Sequence, residues 1–218
     1  MALGNQFQAE VARIALAAAQ EHGFALAGGN GLAAYGIISR LTEDIDLFAA
    51  GDGAVQAAAG LVAAALTQAG FAVEEVAVTS DLAEVIEGFE RDMAEYEVSR
   101  GAQLVRLQLV RFDRRCSPVM MEIGPVLHLD ELLGQKVSAL ATRSEVRDYL
   151  DVAAALRRYD RQRLLELARR ADPDLVDDEF ADAMQRLDQL DDDVFRLQYG
   201  LSPARIRQVR KAFSDWPR

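Results

Sequence analysis

The chain has 218 residues, half of them hydrophobic, and a formal net charge of −11 with a pI of about 4.7. The length predicts one large or two small domains, and the apolar fraction is sufficient for a hydrophobic core. The acidity argues against a dedicated nucleic-acid-binding protein. The charge is uneven, however, because residues 1–90 contain two basic and twelve acidic residues, whereas residues 91–218 are nearly neutral.

The apolar patterns of the first 127 residues alternate between helical and extended periods. The predicted helices occupy residues 5–22, 30–37 and 51–70. The predicted strands occupy residues 24–29, 43–50, 71–79, 103–113 and 117–124, and the last of these is expected to pair with the strand before it. Residues 81–98 fit a helix or a strand equally well.

From Leu129 onward the apolar spacing is helical, and Asp130 is expected to cap the first of these helices. The predicted helices occupy residues 131–143, 144–159, 161–171, 178–190 and 202–213. The change of pattern predicts a mixed α/β domain over residues 1–127 and a helical domain over residues 128–218, which is an α+β protein.

The single cysteine, Cys116, excludes an intramolecular disulfide and fits a reducing cytosol. The N-terminus has no basic segment followed by an unbroken apolar stretch, so no signal peptide is expected. The alanine-rich stretches are too short and too interrupted to span a membrane. We therefore expect a cytoplasmic protein with no membrane partner.

Two carboxylates interrupt the predicted strand 43–50 in the sequence "EDIDLFAA". Residues i and i+2 of a strand point to the same face, so Asp44 and Asp46 should point together while Ile45 and Leu47 enter the core. Neighbouring carboxylates repel each other, and Mg²⁺, which prefers oxygen ligands, relieves that repulsion. The alternative is an exposed strand end at which water solvates both charges.

A glycine pair precedes this strand at the predicted strand-to-helix turn. Gly28 and Gly29 permit a positive φ and a close approach of the backbone, so their amide groups are candidates for binding phosphate. The start of the helix near Asn30 adds a favourable dipole for an anion. A glycine turn followed by an Asp-x-Asp strand is more specific than either feature alone.

This order of parts resembles the nucleotidyltransferase superfamily of the DNA polymerase β type, and within it the AbiEii-like toxins of type IV toxin–antitoxin systems. Such proteins combine a Gly-Gly or Gly-Ser turn with an Arg-x-Thr/Ser-x-Asp-x-Asp strand. The matching residues are Gly28, Gly29, Arg40, Thr42, Asp44 and Asp46.

The resemblance implies a nucleotidyltransferase-type mixed sheet flanked by helices, with Mg²⁺ or Mn²⁺ bound by Asp44 and Asp46. It also implies that an NTP substrate binds at Gly28, Gly29 and Asn30 and near Arg40 and Thr42. The family usually has Ser or Thr after the glycines, so Asn30 would replace a hydroxyl contact by an amide contact.

Many polymerase-β-like enzymes supply a third acid from a later strand. The predicted strand 103–113 should place Gln108 at that position, and glutamine binds a cation only weakly. Asp113 and Glu122 are possible substitutes. The missing acid leaves open a fold that binds nucleotide without catalysis.

A second part of the resemblance lies in residues 134–155, where AbiEii-like proteins carry a lysine, an arginine about seven residues later and an Arg-Asp-x-x-Asp stretch. The counterparts here are Lys136, Arg143, Arg147, Asp148 and Asp151. Lys136 and Arg143 share a helical face suited to a triphosphate, and the compact ammonium of Lys136 fits a phosphate contact. The alternative for Lys136 is a solvated helix face.

Asp148 and Asp151 also share one helical face. The resemblance implies that they border the active site, with Asp151 orienting Lys136 or activating the attacking hydroxyl. Alternatively, both form salt bridges between the domains with Arg143, Arg147 or Arg158.

The resemblance further implies the transfer of a nucleoside monophosphate to RNA, at the 3′ end of tRNA, by a toxin with a cognate antitoxin. Arginine clusters in the helical half could follow an RNA backbone, although charge runs are mostly solvated faces. Transfer to a small molecule such as an aminoglycoside, or to a protein, is the alternative that the net charge of −11 favours.

Overall fold

The computed structural model describes residues 6–76 and 91–218. The chain divides into two compact units, Met1–Leu129 and Asp130–Arg218. The sequence placed this boundary after residue 127. The last part of the strand predicted at 71–79 and the first part of the ambiguous segment 81–98 lie outside the described residues.

The first unit combines a mixed sheet with helices, in the class that the sequence predicts. Its helices are α1 (Gln6–Ala18), α2 (Gly28–Ala34) and α3 (Ala54–Gln68), with a short 3-10 turn at Gln20–His22. Its strands are β1 (Ala25–Leu26), β2 (Asp44–Ala49), β3 (Ala72–Val76), β4 (Met93–Arg100), β5 (Gln103–Arg111), β6 (Val119–Met121) and β7 (Gly124–Val126).

The seven strands form one sheet in the order β3-β4-β5-β2-β1-β7-β6. The parallel pairs are β2 with β5 and β1 with β7, and the remaining pairs are antiparallel. The pairing predicted for residues 117–124 is wrong. These residues form β6 and part of β7 at the far edge of the sheet, whereas β5 lies between β4 and β2. A tight turn at Glu122 pairs β6 with β7, and this local hairpin replaces the longer-range pairing.

The sheet core follows from the alternation along the strands. Ile45 and Leu47 of β2 and Leu107 and Leu109 of β5 are fully buried, and each such side chain contributes about 1.5–3 kcal/mol of hydrophobic stabilisation. Within this unit, helix α1 packs on its neighbours through an apolar face that includes the fully buried Val11. The opposite face of β2 and β5 carries the polar Asp44, Asp46, Arg106 and Gln108 together with Phe48 and Val110.

The second unit is helical. Its helices are α4 (Leu129–Thr142), α5 (Val146–Ala155), α6 (Arg161–Ala171), α7 (Asp177–Gln189), α8 (Asp192–Tyr199) and α9 (Pro203–Ala212). An aromatic cluster of Tyr149, Phe213, Trp216 and Phe180 forms part of its core, with ring centroids 5.2–5.9 Å apart. Asp130 lies inside the first turn of α4 rather than at the cap that the sequence predicts, and there it binds Arg163 at 2.8 Å.

Candidate active site

The glycine turn lies directly against the Asp-x-Asp strand. β1 pairs with β2, and a single residue, Ala27, separates β1 from α2. The Ala27 amide donates to the Asp46 carbonyl at 2.8 Å. Gly28 has a φ of 56°, and a Cβ at this position would lie 1.7 Å from Asp46 Oδ2. Only glycine combines this conformation with such a close approach.

Asp44 and Asp46 share one face of β2, as the sequence predicts. Both are half-buried, while Ile45 and Leu47 on the other face are fully buried. The carboxylate of Asp46 therefore lies at the glycine turn and not in bulk solvent. This contact argues against the alternative in which Asp46 simply lies at an exposed strand end.

The residues before the strand close the other side of the turn. A Cβ on Gly29 would lie 2.8 Å from Thr42 Cγ2 and 3.4 Å from Arg40 Nη2. Arg40 and Thr42 therefore lie at Gly29, next to the contact between Gly28 and Asp46. Arg40 also donates from Nη1 to the Leu41 carbonyl at 2.9 Å, which holds its guanidinium close to the chain.

Asn30 and Thr42 both make hydrogen bonds within the protein. Asn30 is buried and its Nδ2 donates to the Asp44 carbonyl at 2.8 Å, which joins α2 to β2. Thr42 Oγ1 donates to Gln8 Oε1 at 3.0 Å, and Gln8 Nε2 donates to the Thr42 carbonyl at 2.8 Å. These two side chains shape the turn, and any contact with nucleotide would come in addition to that role.

Two rows of polar side chains extend the site across the sheet. In the first row Asp46 pairs with Gln108, which pairs with Glu95. In the second row Asp44 pairs with Arg106, which pairs with Glu97. Because residues paired across strands point to the same face, these side chains share the face of the Asp-x-Asp pair. We call these six residues the acidic face.

Glu95 is the member that sequence reasoning missed. Its carboxylate is buried, accepts from Gln108 Nε2 at 3.2 Å and lies 3.5 Å from Arg106 Nη1. The sequence "MAEYEVSR" carried a signal, because Ala94, Tyr96 and Val98 alternate with the two glutamates and are buried. This alternation did not decide the prediction, because residues 81–98 as a whole fit a helix or a strand equally well.

The position expected to hold a third acid is occupied by Gln108, directly opposite Asp46. The proposed substitutes do not take its place. Asp113 lies beyond the end of β5, highly exposed and bound to Arg111 at 3.2 Å. Glu122 lies in the turn between β6 and β7, at the far edge of the sheet from β5.

The donor atoms of Asp44 and Asp46 fit a divalent cation such as Mg²⁺, which takes hard oxygen ligands and commonly uses one or two carboxylates. Because Gly28 has no side chain, Asp46 Oδ2 packs directly against the turn. Across residues 6–76 and 91–218, no group of three or more His, Cys, Asp or Glu residues is arranged to hold a metal. The fit therefore rests on two carboxylates.

The second group of predicted residues forms a buried ion network within the helical unit. Lys136 Nζ lies 3.3 Å from Asp148 Oδ1 and 3.2 Å from Asp151 Oδ2, and both aspartates are fully buried. Arg143 binds both oxygens of Asp148 at 2.9 Å. We call Lys136, Arg143, Asp148 and Asp151 the ion network.

Asp148 is the centre of this network. Burial raises the pKa of its carboxyl, but the hydrogen bond from Arg143 and the charges of Lys136 and Arg143 outweigh burial and lower the pKa. Its Oδ2 also accepts from the Glu145 amide at 3.2 Å, which closes the first turn of α5. The network therefore fixes the start of α5 against α4.

The network bears on the structural alternatives left open by the sequence. Lys136 is not a solvated lysine, because its side chain is only 11% exposed and contacts two carboxylates. Asp148 pairs with Lys136 and Arg143 inside the helical unit, whereas Arg147 binds Glu145 at 2.6 Å. The salt bridge with Arg143 that the structural alternative predicts is confirmed, but it lies within the helical unit and not between domains.

A mixed sheet with an Asp-x-Asp strand against a glycine turn fits a nucleotidyltransferase. The family model for the nucleotidyl transferase AbiEii toxin of type IV toxin–antitoxin systems matches residues 11–213. The chain belongs to this family and is a nucleotidyltransferase. Membership implies an antitoxin partner.

Solved structures with the same fold include JHP933 from Helicobacter pylori, which has a TM-score of 0.60 and 15% identity, covering 95% of this chain and 88% of that one. They also include MenT4, a nucleotidyltransferase toxin from Mycobacterium tuberculosis, with a TM-score of 0.57 and 18% identity, covering 95% of this chain and 88% of that one. No curated protein sequence matches significantly. In the part of the chain that the structure describes, no helix is long and apolar enough to cross a membrane.

Proposed function

We propose that the protein transfers a nucleoside monophosphate from an NTP to an acceptor hydroxyl in a reaction that depends on a divalent metal. The observation that carries the proposal is the position of Gly28 against Asp46 Oδ2. A carboxylate pair and a phosphate-binding turn are useful to each other only when a metal–triphosphate complex is shared between them.

In this reaction the acceptor oxygen forms a bond to the α-phosphorus of the NTP. The bond from that phosphorus to the bridging oxygen breaks, pyrophosphate leaves, and the hydroxyl proton is lost. Asp44 and Asp46 would hold Mg²⁺ or Mn²⁺, which neutralises phosphate charge when bound. Gly28, Gly29 and the amide end of α2 would orient the phosphates, and Arg40 would add a positive charge near them.

The ion network would contribute a lysine of fixed position. Asp151, fully buried and 3.2 Å from Lys136 Nζ, is suited to orient that lysine. Full burial makes Asp151 poorly suited to take a proton from a bulky acceptor, so the orienting role is the better supported of the two. Lys136 and Arg143 would then meet phosphate groups, with Asp148 holding both in place.

We propose RNA as the acceptor, at the 3′ end of tRNA, in line with the family resemblance and with the arginine-rich helical half. A cognate antitoxin and a cytoplasmic location, where NTPs and tRNA occur together, complete this proposal. The net charge of −11 favours a second candidate, a cationic small-molecule or protein acceptor. Labelled products distinguish the two acceptors directly.

The test incubates the purified protein with each radiolabelled NTP and Mg²⁺, with total tRNA, with an aminoglycoside or without acceptor. We expect label in tRNA and a matching release of pyrophosphate. Asp44→Asn should reduce both by about a thousandfold, the scale of losing one key electrostatic contact. Glu43→Gln, an exposed neighbour, is the matched control and should retain activity.

Retention of transfer by Asp44→Asn would refute the metal assignment. Label in the aminoglycoside rather than in tRNA would refute the RNA acceptor. NTP binding by calorimetry without pyrophosphate release under any acceptor would show a nucleotide-binding protein without catalysis.

A further inference from the structure

A cleft of about 430 Å³ lies within the helical unit and is formed by the end of α5, the start of α6 and one side of α9. We call it the helical cleft. Its volume falls in the range of about 300–1,000 Å³ that is usual for small-molecule sites. Its apolar lining residues are Ala153, Leu156, Val209 and Ala212. The charged and aromatic residues of the lining determine which class of ligand fits.

Three arginines line the helical cleft, Arg157, Arg161 and Arg205. Arg161 donates to the Asp215 carbonyl and lies 3.8 Å from Asp215 Oδ2. Arg205 donates to Gln208 Oε1 at 3.0 Å. Among the residues that the structure describes, the guanidinium of Arg157 has no hydrogen-bond or ion-pair partner. Its N–H donors are therefore available to a ligand, and a guanidinium matches the geometry of a phosphate group.

Two of these arginines lie at the positive ends of helices. Arg161 is the first residue of α6, and Arg205 lies in the first turn of α9, where its amide donates to the cap residue Ser202. A cation in the first turn of a helix is unfavourable, because its charge adds to the positive end of the helix dipole. A bound anion would offset this repulsion, so the local electrostatics of the helical cleft favours a negatively charged ligand.

Two carboxylates also line the helical cleft and limit how much negative charge it can bind. Asp160 caps α6 by accepting from the Arg163 amide at 2.8 Å, and Asp215 lies beside Arg161. Three guanidiniums and two carboxylates leave a net charge of one positive unit in the lining. One phosphate group fits that balance. A triphosphate or a continuous RNA backbone would bring more negative charge than the lining can neutralise.

The remaining lining suits the apolar part of a nucleotide. Tyr159 lines the helical cleft and is partly exposed, and every base can stack on an aromatic ring. We propose that the helical cleft binds a nucleoside monophosphate, with its phosphate on Arg157 and Arg205 and its base on Tyr159. This binding site lies in the helical unit, requires no metal and goes beyond the proposed transfer reaction at Asp44 and Asp46.

The experiment titrates the full chain with AMP, GMP, CMP, UMP and ribose 5-phosphate by isothermal titration calorimetry in the presence of EDTA. EDTA removes divalent metal, so metal-dependent binding at the acidic face is suppressed. We expect at least one monophosphate to bind with a Kd below about 1 mM. Ribose 5-phosphate has no base to stack and should bind about tenfold more weakly.

Arg157→Gln should weaken nucleotide binding by about tenfold, the scale of losing one charged hydrogen-bond partner. Arg170→Gln is the matched control, because Arg170 is an exposed arginine of the same helical unit that does not line the helical cleft. Its nucleotide affinity should stay within about twofold of the wild type, since salt screens exposed charges. Circular dichroism and thermal melting establish that each variant is folded.

Tyr159→Leu tests whether the base is recognised. It should weaken nucleotide binding by about tenfold and leave the binding of ribose 5-phosphate unchanged. Equal losses for both probes would overturn the assignment of a nucleotide. Should Tyr159→Leu fail to fold, the comparison of Arg157→Gln with Arg170→Gln decides the question alone.

Three further outcomes would overturn the proposal. The first is the absence of nucleotide binding up to about 5 mM, and the second is an equal loss in Arg157→Gln and Arg170→Gln, which would indicate a general charge effect. The third is binding of a short oligoadenylate that depends on Arg157 while no monophosphate binds, which would identify an RNA surface instead.

Asp44→Asn separates this proposal from the proposed function. Unchanged nucleotide binding in EDTA by Asp44→Asn supports a site in the helical cleft, whatever happens to transfer activity. Loss of nucleotide binding in Asp44→Asn would place the nucleotide at the acidic face and would reject the helical cleft as its site. The transfer reaction itself would not be affected by that result.

Discussion

The acidic face of the sheet unit and the ion network of the helical unit differ in how their charge is balanced. The acidic face places four carboxylates, of Asp44, Asp46, Glu95 and Glu97, around the single guanidinium of Arg106. The ion network pairs two cations with two fully buried carboxylates. The two groups also differ in burial, because the aspartates of the acidic face are half-buried and those of the ion network are fully buried.

The comparison separates two kinds of functional residue. On the proposed function, those of the acidic face act on a bound metal and nucleotide, so their substitution should change function more than stability. Those of the ion network already satisfy one another, so their substitution should change stability first. Each variant below is chosen to break one side of this contrast.

Lys136→Met should have the largest effect on stability. It removes the ammonium from both Asp148 and Asp151, and breaking a buried ion pair in this way costs about 3–5 kcal/mol. Urea unfolding followed by circular dichroism measures the loss. The paired variant Asp44→Asn should lower the free energy of unfolding by much less, about 0–1 kcal/mol, because Asp44 is half-buried and not fully buried. Equal losses in both variants would contradict the contrast.

Gly28→Ala should have the next largest effect and should act mainly on function. The added Cβ would lie 1.7 Å from Asp46 Oδ2 on a backbone with a φ of 56°, so the carboxylate must move, at a cost of about 1–3 kcal/mol. We expect transfer activity and Mn²⁺ binding to fall together.

Gly60→Ala is the matched control for the glycine variant. Gly60 lies on the exposed side of α3 with no atom within 4 Å of an added Cβ. Alanine there should raise the free energy of unfolding by about 0.5–1 kcal/mol through helix propensity. Full activity in Gly28→Ala would show that the turn does not constrain Asp46.

The smallest effect concerns the response of stability to acid. The pKa of Asp148 is lowered, because Arg143 and Lys136 outweigh the effect of burial. Its contribution to stability is therefore present above its unfolded pKa of about 3.9 and is lost as the pH falls through the lower folded pKa. Unfolding curves between pH 5 and 2.5, as approximate limits, should be flatter for Asp148→Asn than for the wild type. Parallel curves would exclude Asp148 as an acid-sensitive group.

Local periodicity was sufficient to predict the centre of the candidate site. The alternation in β2 places Asp44 and Asp46 on one face and Ile45 and Leu47 in the core, and the structure confirms both. The same reasoning placed Gln108 at the position of a third acid, and it lies opposite Asp46.

Pairing over long distances in the chain was not accessible in this way. Glu95 meets Gln108 only because β4 and β5 adopt one particular register, and a shift by one residue would place it on the other face. The position of β6 and β7 at the far edge was missed because strand order depends on the whole sheet. Helical spacing predicted which face of α4 carries Lys136. It did not predict that the Lys136 side chain is buried, because that burial depends on how α5 packs on α4.

The reciprocal hydrogen bonds between Gln8 and Thr42 have a consequence for the first helix. Thr42 contacts the position that a Gly29 side chain would occupy, and Gln8 in turn fixes Thr42 from α1. The N-terminal helix, which carries none of the recognisable sequence pattern, therefore acts as a buttress for the glycine pair. A recombinant chain shortened beyond residue 8 would retain every signature residue and yet lose the scaffold that keeps the turn in shape.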